Sequence, residues 1–169
     1  MDVKDIRNME FDSVVVNHAR VSFDAKSENE GFARMVVMGF MMEMNPTMDE
    51  LQDVKTAVSE AVTNAIIHGY ESDGNAQVEM KCLREGQKLT VVIEDQGIGI
   101  RDVEEARQPF YTTKPEEERS GMGFSFMETF MDEIEIISKV GQGTKVIMHK
   151  YIECENEASQ IFAEGESGI

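Results

Sequence analysis

The chain has 169 residues, 16 Lys plus Arg against 33 Asp plus Glu, and a formal charge of −17; this suits one domain and argues against nucleic acid as a partner, because phosphate repels so acidic a surface. The apolar fraction of 41% suffices for a packed core, no apolar run approaches the roughly 20 residues of a membrane span, and Met1-Asp2-Val3-Lys4-Asp5 lacks the order of a signal peptide. Two cysteines, Cys82 and Cys154, make no disulfide framework and point to a reducing, cytoplasmic setting, while nucleotides stay admissible because local amides and a metal hold them and the charge favours a basic-patched protein partner.

Residues 1–17 carry one short apolar run, Val14-Val15-Val16, and read as an N-terminal extension ahead of a domain spanning 18–150. From His18, the alternation of Ala19, Val21 and Phe23 marks a strand. Ser27-Glu28-Asn29-Glu30 has the form of a capping box and predicts a helix start, with Phe32, Met35, Val36 and Phe40 at helical spacing. This helix holds Met35, Met38, Met41, Met42 and Met44, more than a buried stripe absorbs; methionine fills gaps in cores and also serves surfaces that grip partners. Asn45-Pro46 ends it. Thr47-Met48-Asp49-Glu50 is a second capping box, opening a helix with Leu51, Val54, Val58, Ala61 and Ala65 on one stripe and a glycine stop at His68-Gly69.

Residues 77–83 and 88–94 alternate as two strands joined by the turn Arg84-Glu85-Gly86-Gln87. A long connection runs from Gly97 to Gly121 with helical signal only around 102–106, the kind of segment that forms active-site lids. Residues 122–133 read as a helix, and 134–140 with 144–151 as a hairpin around Gly141-Gln142-Gly143. The tail, 151–169, has five Glu and no Lys or Arg and reads as disordered. This order implies an α+β fold: a mixed, mainly antiparallel sheet with helices on one face.

Three elements carry candidate chemistry. Glu60 and Asn64 share a helical strip with Ile67, away from the apolar stripe, and a carboxylate and an amide so spaced can share a water or a metal. Asp95-Gln96-Gly97-Ile98-Gly99 leaves a strand; its glycines admit a flat ligand to the backbone, and Asp95 can accept from an amino group. Glu118-Arg119-Ser120-Gly121-Met122-Gly123 precedes a helix and offers free N–H groups to an anion, with Lys114 and Arg119 as nearby cations. Each alone also reads as an ordinary solvated face, strand exit or turn. The chain has no P-loop and no dinucleotide βαβ signature, and His18, His68, His149 and the cysteines form no zinc pattern.

In conjunction, E-A-V-T-N-A-I-I-H-G from Glu60, D-Q-G-I-G from Asp95 and S-G-M-G-F from Ser120 resemble the N, G1 and G2 boxes of the GHKL ATP-binding superfamily, which includes gyrase B subunits and histidine-kinase catalytic domains. Residues 31–34, 45–51, 60–70 and 104–132 are further similar to the anti-sigma factors of bacterial sporulation that act as serine kinases, and the likeness extends from His18 to Lys150. The resemblance implies a Bergerat-type α/β sandwich with an ATP lid, using ATP or ADP with Mg²⁺. It makes Glu60 the general base, sets Asn64 on Mg²⁺ and Asp95 on the adenine amino group, and puts Gly97 and Gly99 beside the base. Gly121 and Gly123 would contact phosphates, and Thr112, Thr113, Lys114 and Arg119 would come from the lid. Glu30 and Arg34 match positions of partner contact. The implied protein is a cytoplasmic homodimer that holds a sigma factor when ATP is bound and phosphorylates an anti-anti-sigma factor on serine. Tyr111, where an aliphatic residue or Phe is expected, and the long N-terminal extension depart from the pattern. Two other readings are a nucleotide-gated binding module without phosphotransfer, and a detached histidine-kinase catalytic domain, for which no phospho-acceptor helix pair precedes the first strand.

Overall fold

A computed structural model describes residues 15–109 and 123–153. In chain order these form β1 (Val15–Asp24), α1 (Asn29–Met41) with a 3₁₀ turn (Met42–Met44), α2 (Met48–Asn64) running into a π turn (Ala65–Gly69), β2 (Gln77–Glu85), β3 (Lys88–Asp95), α3 (Val103–Ala106), α4 (Gly123–Phe130), β4 (Glu133–Lys139) and β5 (Gly143–Tyr151). The strands make one sheet in the order β1-β2-β3-β5-β4. Every pairing among the described residues is antiparallel, in keeping with the mainly antiparallel sheet expected. In the last hairpin β4 runs at the far edge, and the tight return at Gly141 lays β5 between it and β3.

Because side chains alternate along a strand, register decides which residues share the core face. Phe23 lies opposite Val78, Val21 opposite Met80, Met80 opposite Ile93, Ile93 opposite Val146, and Val146 opposite Ile136. Against this face pack Ala33, Val37 and Met41 of α1, the stripe Leu51, Val54, Val58, Ala61 and Ala65, and Met127 of α4, in one continuous apolar cluster. The opposite face carries a ladder of alternating charge: Arg20 pairs with Glu79, Lys81 sits 2.7 Å from Glu79 and 3.5 Å from Glu94, and Lys145 lies 3.4 Å from Glu94.

The two expected capping boxes fare differently. At α2, Thr47 Oγ accepts the Glu50 N–H at 3.2 Å and the Glu50 carboxylate accepts the Thr47 N–H at 2.8 Å, as the sequence predicts. At α1 no side chain caps the helix and Glu28 is itself helical. The preceding turn supplies the acceptors instead: the Asn29 N–H donates to Lys26 O and the Glu30 N–H to Ser27 O, while Asn29 Nδ2 ties back to Asp24 O at 2.8 Å. The Ser27 hydroxyl is left with no helix donor to cap. Helix α4 is shorter than expected, ending at Phe130, whose carbonyl accepts from Lys150 Nζ at 2.8 Å. The methionines of the first helix divide: Met41 and Met44 are buried, Met35 and Met42 exposed.

The sheet reaches past both ends of the 18–150 span. Val15 already pairs with Glu85, so 15–17 belong to the sheet. Beyond Lys150, Ile152 is buried with its N–H on Gln87 O, and the Glu153 N–H donates to the Glu50 carboxylate at 2.7 Å. Residues 1–14 and 154–169 lie outside the described residues, as does the 110–122 part of the expected lid. No described helix is long and apolar enough to cross a membrane.

Glu50 therefore joins the start of α2 to the end of β5, accepting from Thr47 and Glu153 while itself nearly buried. Glu50→Ala is expected to lower stability by about 2–3 kcal/mol, against about 1 kcal/mol for Thr47→Ala, which removes only the cap. Urea unfolding of the two variants checks the order.

Candidate functional site

The site is built where α2 changes its winding. After Asn64 the backbone widens into the π turn, and the Tyr70 N–H reaches back to Ala65 O at 3.0 Å. Single π turns inside helices recur at functional sites. The sequence predicts a glycine stop here, and the winding does end at Gly69, although not at a positive φ. The glycine is needed for space: a Cβ on Gly69 would sit 2.7 Å from the carboxyl carbon of Asp95. A Cβ on Gly97 would lie 1.8 Å from Gly69 O, and the Ile98 N–H donates to that same oxygen at 2.9 Å. Gly99, at φ +71°, packs on the Lys139 carbonyl, and the Gly141 N–H donates to Ile98 O at 2.8 Å.

Asp95 ends β3 and is 5% exposed. Burial pushes its pKa up to about 6, although the N–H groups of Gly97 and Thr144 oppose the shift; the Gly97 bond is 2.9 Å. Gly143 fits only because it has no side chain, since a Cβ there would lie 2.0 Å from Asp95 O. The result is a carboxylate with little water, held by backbone N–H groups where glycines let neighbouring backbones come into contact.

At the other end of the site, α4 starts against α2. A Cβ on Gly123 would meet Asn64 Nδ2 and Oδ1 at 3.1 Å and Glu60 Oε2 at 3.4 Å. The structure therefore brings together Glu60, Asn64 and Gly123, and separately Asp95, Gly97 and Gly99, with a single helix and its π turn linking the two groups. Thr112, Thr113, Lys114, Arg119 and Gly121 lie outside the described residues. Among the described residues no three His, Cys, Asp or Glu side chains gather as a metal cage. Asn64 at the mouth of α4 suits a hard cation that arrives with most of its oxygen ligands already in place.

Glu30 and Arg34 stand apart from both groups. They form an ion pair on the flank where α1 meets α2, and Arg34 Nη1 donates to Ser59 Oγ at 3.2 Å, one residue from Glu60. Sequence reasoning missed Gly69, Tyr70 and Gly143 as site residues. Gly69 closes the motif that starts at Glu60 and Tyr70 follows it, but neither they nor Gly143 stand out as site residues, because their roles come from backbone segments that meet only in the fold.

Comparison with known proteins adds a family to this geometry. Residues 23–150 match the histidine kinase-like ATPase domain. The chain is 57% identical over 134 residues to the anti-sigma F factor of Clostridium perfringens strain SM101, covering 79% of this chain and 96% of that protein. It is 54% identical over 136 residues to the anti-sigma F factor of Geobacillus kaustophilus, covering 80% and 93%. The chain belongs to the anti-sigma F factor family. Among solved structures, the RsbU and RsbW domains of Rv1364c from Mycobacterium tuberculosis share the fold, with a TM-score of 0.59 at 16% identity over 81% of this chain and 33% of that one. A histidine kinase-like ATPase domain makes this family member a nucleotide-binding protein, with the expected α+β architecture.

The raised pKa of Asp95 has a sign that can be measured. An acid whose folded pKa is above its unfolded value binds more protons when folded, so its ionisation costs stability as pH rises from about 4 to about 6. The stability difference between Asp95→Asn and the unsubstituted protein should shift toward the variant by roughly 2–3 kcal/mol between pH 4 and pH 7. Parallel denaturant titrations of the nucleotide-free proteins at the two pH values test this.

Proposed function

We propose that the chain binds and inhibits a sporulation sigma factor in an ATP-dependent manner and, as a serine kinase, phosphorylates the anti-anti-sigma factor. The carrying observation is the placement of Glu60 and Asn64 against Gly123 at the start of α4, with the π turn that follows Asn64 carrying Gly69 to the buried carboxylate of Asp95. Family membership supports the rest: the relatives at 54–57% identity are anti-sigma F factors.

The roles follow from the chemistry of each group. Asp95 accepts from the adenine amino group, and Gly97 and Gly99, pressed on the Gly69 and Lys139 carbonyls, lie beside the ring. The N-terminus of α4, with Gly121 and Gly123, receives the phosphates through N–H groups and the helix dipole. Thr112, Thr113, Lys114 and Arg119 supply further donors and positive charge. Asn64 would hold Mg²⁺, which would supply neutralisation of the phosphate charge. Glu60, beside Asn64, takes the proton of the incoming serine hydroxyl, so that the oxygen attacks the terminal phosphorus in line with the leaving group. Glu30 and Arg34, on the flank of α1, contact the sigma factor, and the −17 balance suits a basic partner surface. The working unit is a cytoplasmic homodimer.

Glu60→Gln should retain nucleotide affinity within about twofold and lose phosphotransfer by 10²-fold or more, the usual worth of a general base. Labelled ATP, the cognate anti-anti-sigma protein and an acid-stability test of the product decide it. Transfer at full rate removes Glu60 as base, and an acid-labile product removes the serine kinase. Arg34→Glu should weaken sigma-factor capture about tenfold or more while leaving ADP affinity unchanged. Calorimetric titration with each ligand checks the separation.

A further inference from the structure

Tyr70 follows the π turn directly, and its hydroxyl joins the start of β2 to the residue after β3. It donates to Gln77 O at 2.6 Å and accepts from the Gln96 N–H at 2.6 Å. Continuing the β2–β3 register two residues beyond the pair Glu79 and Glu94 would set Gln77 opposite Gln96. The ladder does not continue there, and the phenol oxygen lies between the two backbones and satisfies both. This wedge turns the chain out of β3 immediately after Asp95. Desolvation raises the Tyr70 pKa, ahead of opposing and reinforcing effects from Gln96 and Asp95, so the hydroxyl stays protonated and able to donate.

Gln96 is bracketed by the two residues that matter for the base. Asp95 precedes it, and Gly97 follows with its N–H on the Asp95 carboxylate at 2.9 Å. A displacement of the Gln96 N–H therefore changes both the aim of the carboxylate and the position of Gly97. Tyr70 is also covalently attached to Gly69, whose missing side chain makes room for that carboxylate. The same residue thus controls the position of Asp95 from both the helix side and the strand side.

We propose that Tyr70 is a positioning residue for base recognition: by bridging Gln77 and Gln96 through its hydroxyl it aims Asp95 at the exocyclic amino group of the nucleotide. This rests on the assignment of Asp95 as the adenine-reading group. The probes are ADP and inosine diphosphate, in which a carbonyl replaces that amino group.

Calorimetry on the full chain is expected to show ADP preferred over inosine diphosphate by tenfold or more, and Tyr70→Phe is expected to reduce this preference about fivefold, the size of one hydrogen bond. In phosphotransfer, KM for ATP should rise with kcat unchanged, because the phosphate end is untouched. In the Asp95→Asn background, Tyr70→Phe should leave the residual preference where it is, since both substitutions act through one contact. Tyr70→His, too short to reach both partners, gives a second variant read by the same ratio should Phe not fold. If either variant keeps the full preference, or weakens both nucleotides equally, Tyr70 is an ordinary structural residue and the proposal falls. If the unsubstituted protein does not distinguish the two nucleotides at all, the assignment of Asp95 falls first and takes Tyr70 with it.

Discussion

The backbone of Gly97 crosses that of Gly69 so closely that neither the carbonyl of one nor the α-carbon of the other leaves room for a methyl group. Both groups of candidate site residues are referred to this crossing. On one side of it lies α2 with Glu60 and Asn64, and on the other the end of β3 with Asp95. A ligand that touches both ends spans elements far apart in sequence, and the seam helps to fix their separation. The hydrogen bond from the Ile98 N–H to Gly69 O locks the sliding direction along it. Reacting groups tolerate misplacement of only about 1 Å before rate suffers, so a seam made of backbone, which has no rotamers, is a suitable reference. A seam of interdigitated side chains would bring two sets of torsions with it.

The π turn is what lets one helix serve both ends. An unbroken α-helix through Gly69 would rotate each later residue by a fixed angle and carry Gly69 away from Asp95. One wider turn shifts the register, keeps Ala65 and Ile66 in the core, and turns Gly69 to the sheet. Asp95 itself is held against its own preference, ionised at neutral pH in a site that favours the acid. Such a site is retained only if the rest of the fold tolerates a loss that is not small beside total stabilities of about 5–15 kcal/mol. Offsetting features are visible: a continuous core shared by sheet and helices, the reciprocal cap at Thr47 and Glu50, and Lys150 joining Asp53 of α2 to the last carbonyl of α4.

Much of this was legible in the sequence because it depends on period and local chemistry. Strand alternation placed Val78, Met80, Leu89, Val91 and Ile93 on one face, and the Thr47 box placed the start of α2. Glu60 and Asn64 stood out because they leave the apolar stripe together, and Gly123 because it precedes a helix. What failed to show depends on meetings between distant segments. Ser27 has the same pattern as Thr47, yet the turn before it had already satisfied the N–H groups it would have capped. A π turn has no composition of its own. Tyr70 and Gly143 look like punctuation until β5 is laid beside β3, which sets Thr144 opposite Asp95. The order of strands in the sheet likewise turned on which neighbour β5 chose.

The first helix gives the clearest case of one element with two surfaces. Its inward stripe, Ala33, Val37 and Met41, is fully buried, and the 3₁₀ turn adds Met44 to the same core. On the α2 side, Glu30 and Arg34 satisfy each other, and Arg34 also holds Ser59. The remaining face shows Phe32, Met35 and Met42 to solvent, with an edge-on contact from Phe23 beneath Phe32. The charged pair and the apolar face therefore point in different directions, the pair lying beside the Glu60 end of α2. Because Ser59 and Glu60 are neighbours on one helix, contact at Arg34 and, under the proposed assignment, contact at Glu60 act on the same turn of backbone. Coupling between the two needs only that each ligand favour one position of that turn over another, and the fold supplies that shared element without any longer path.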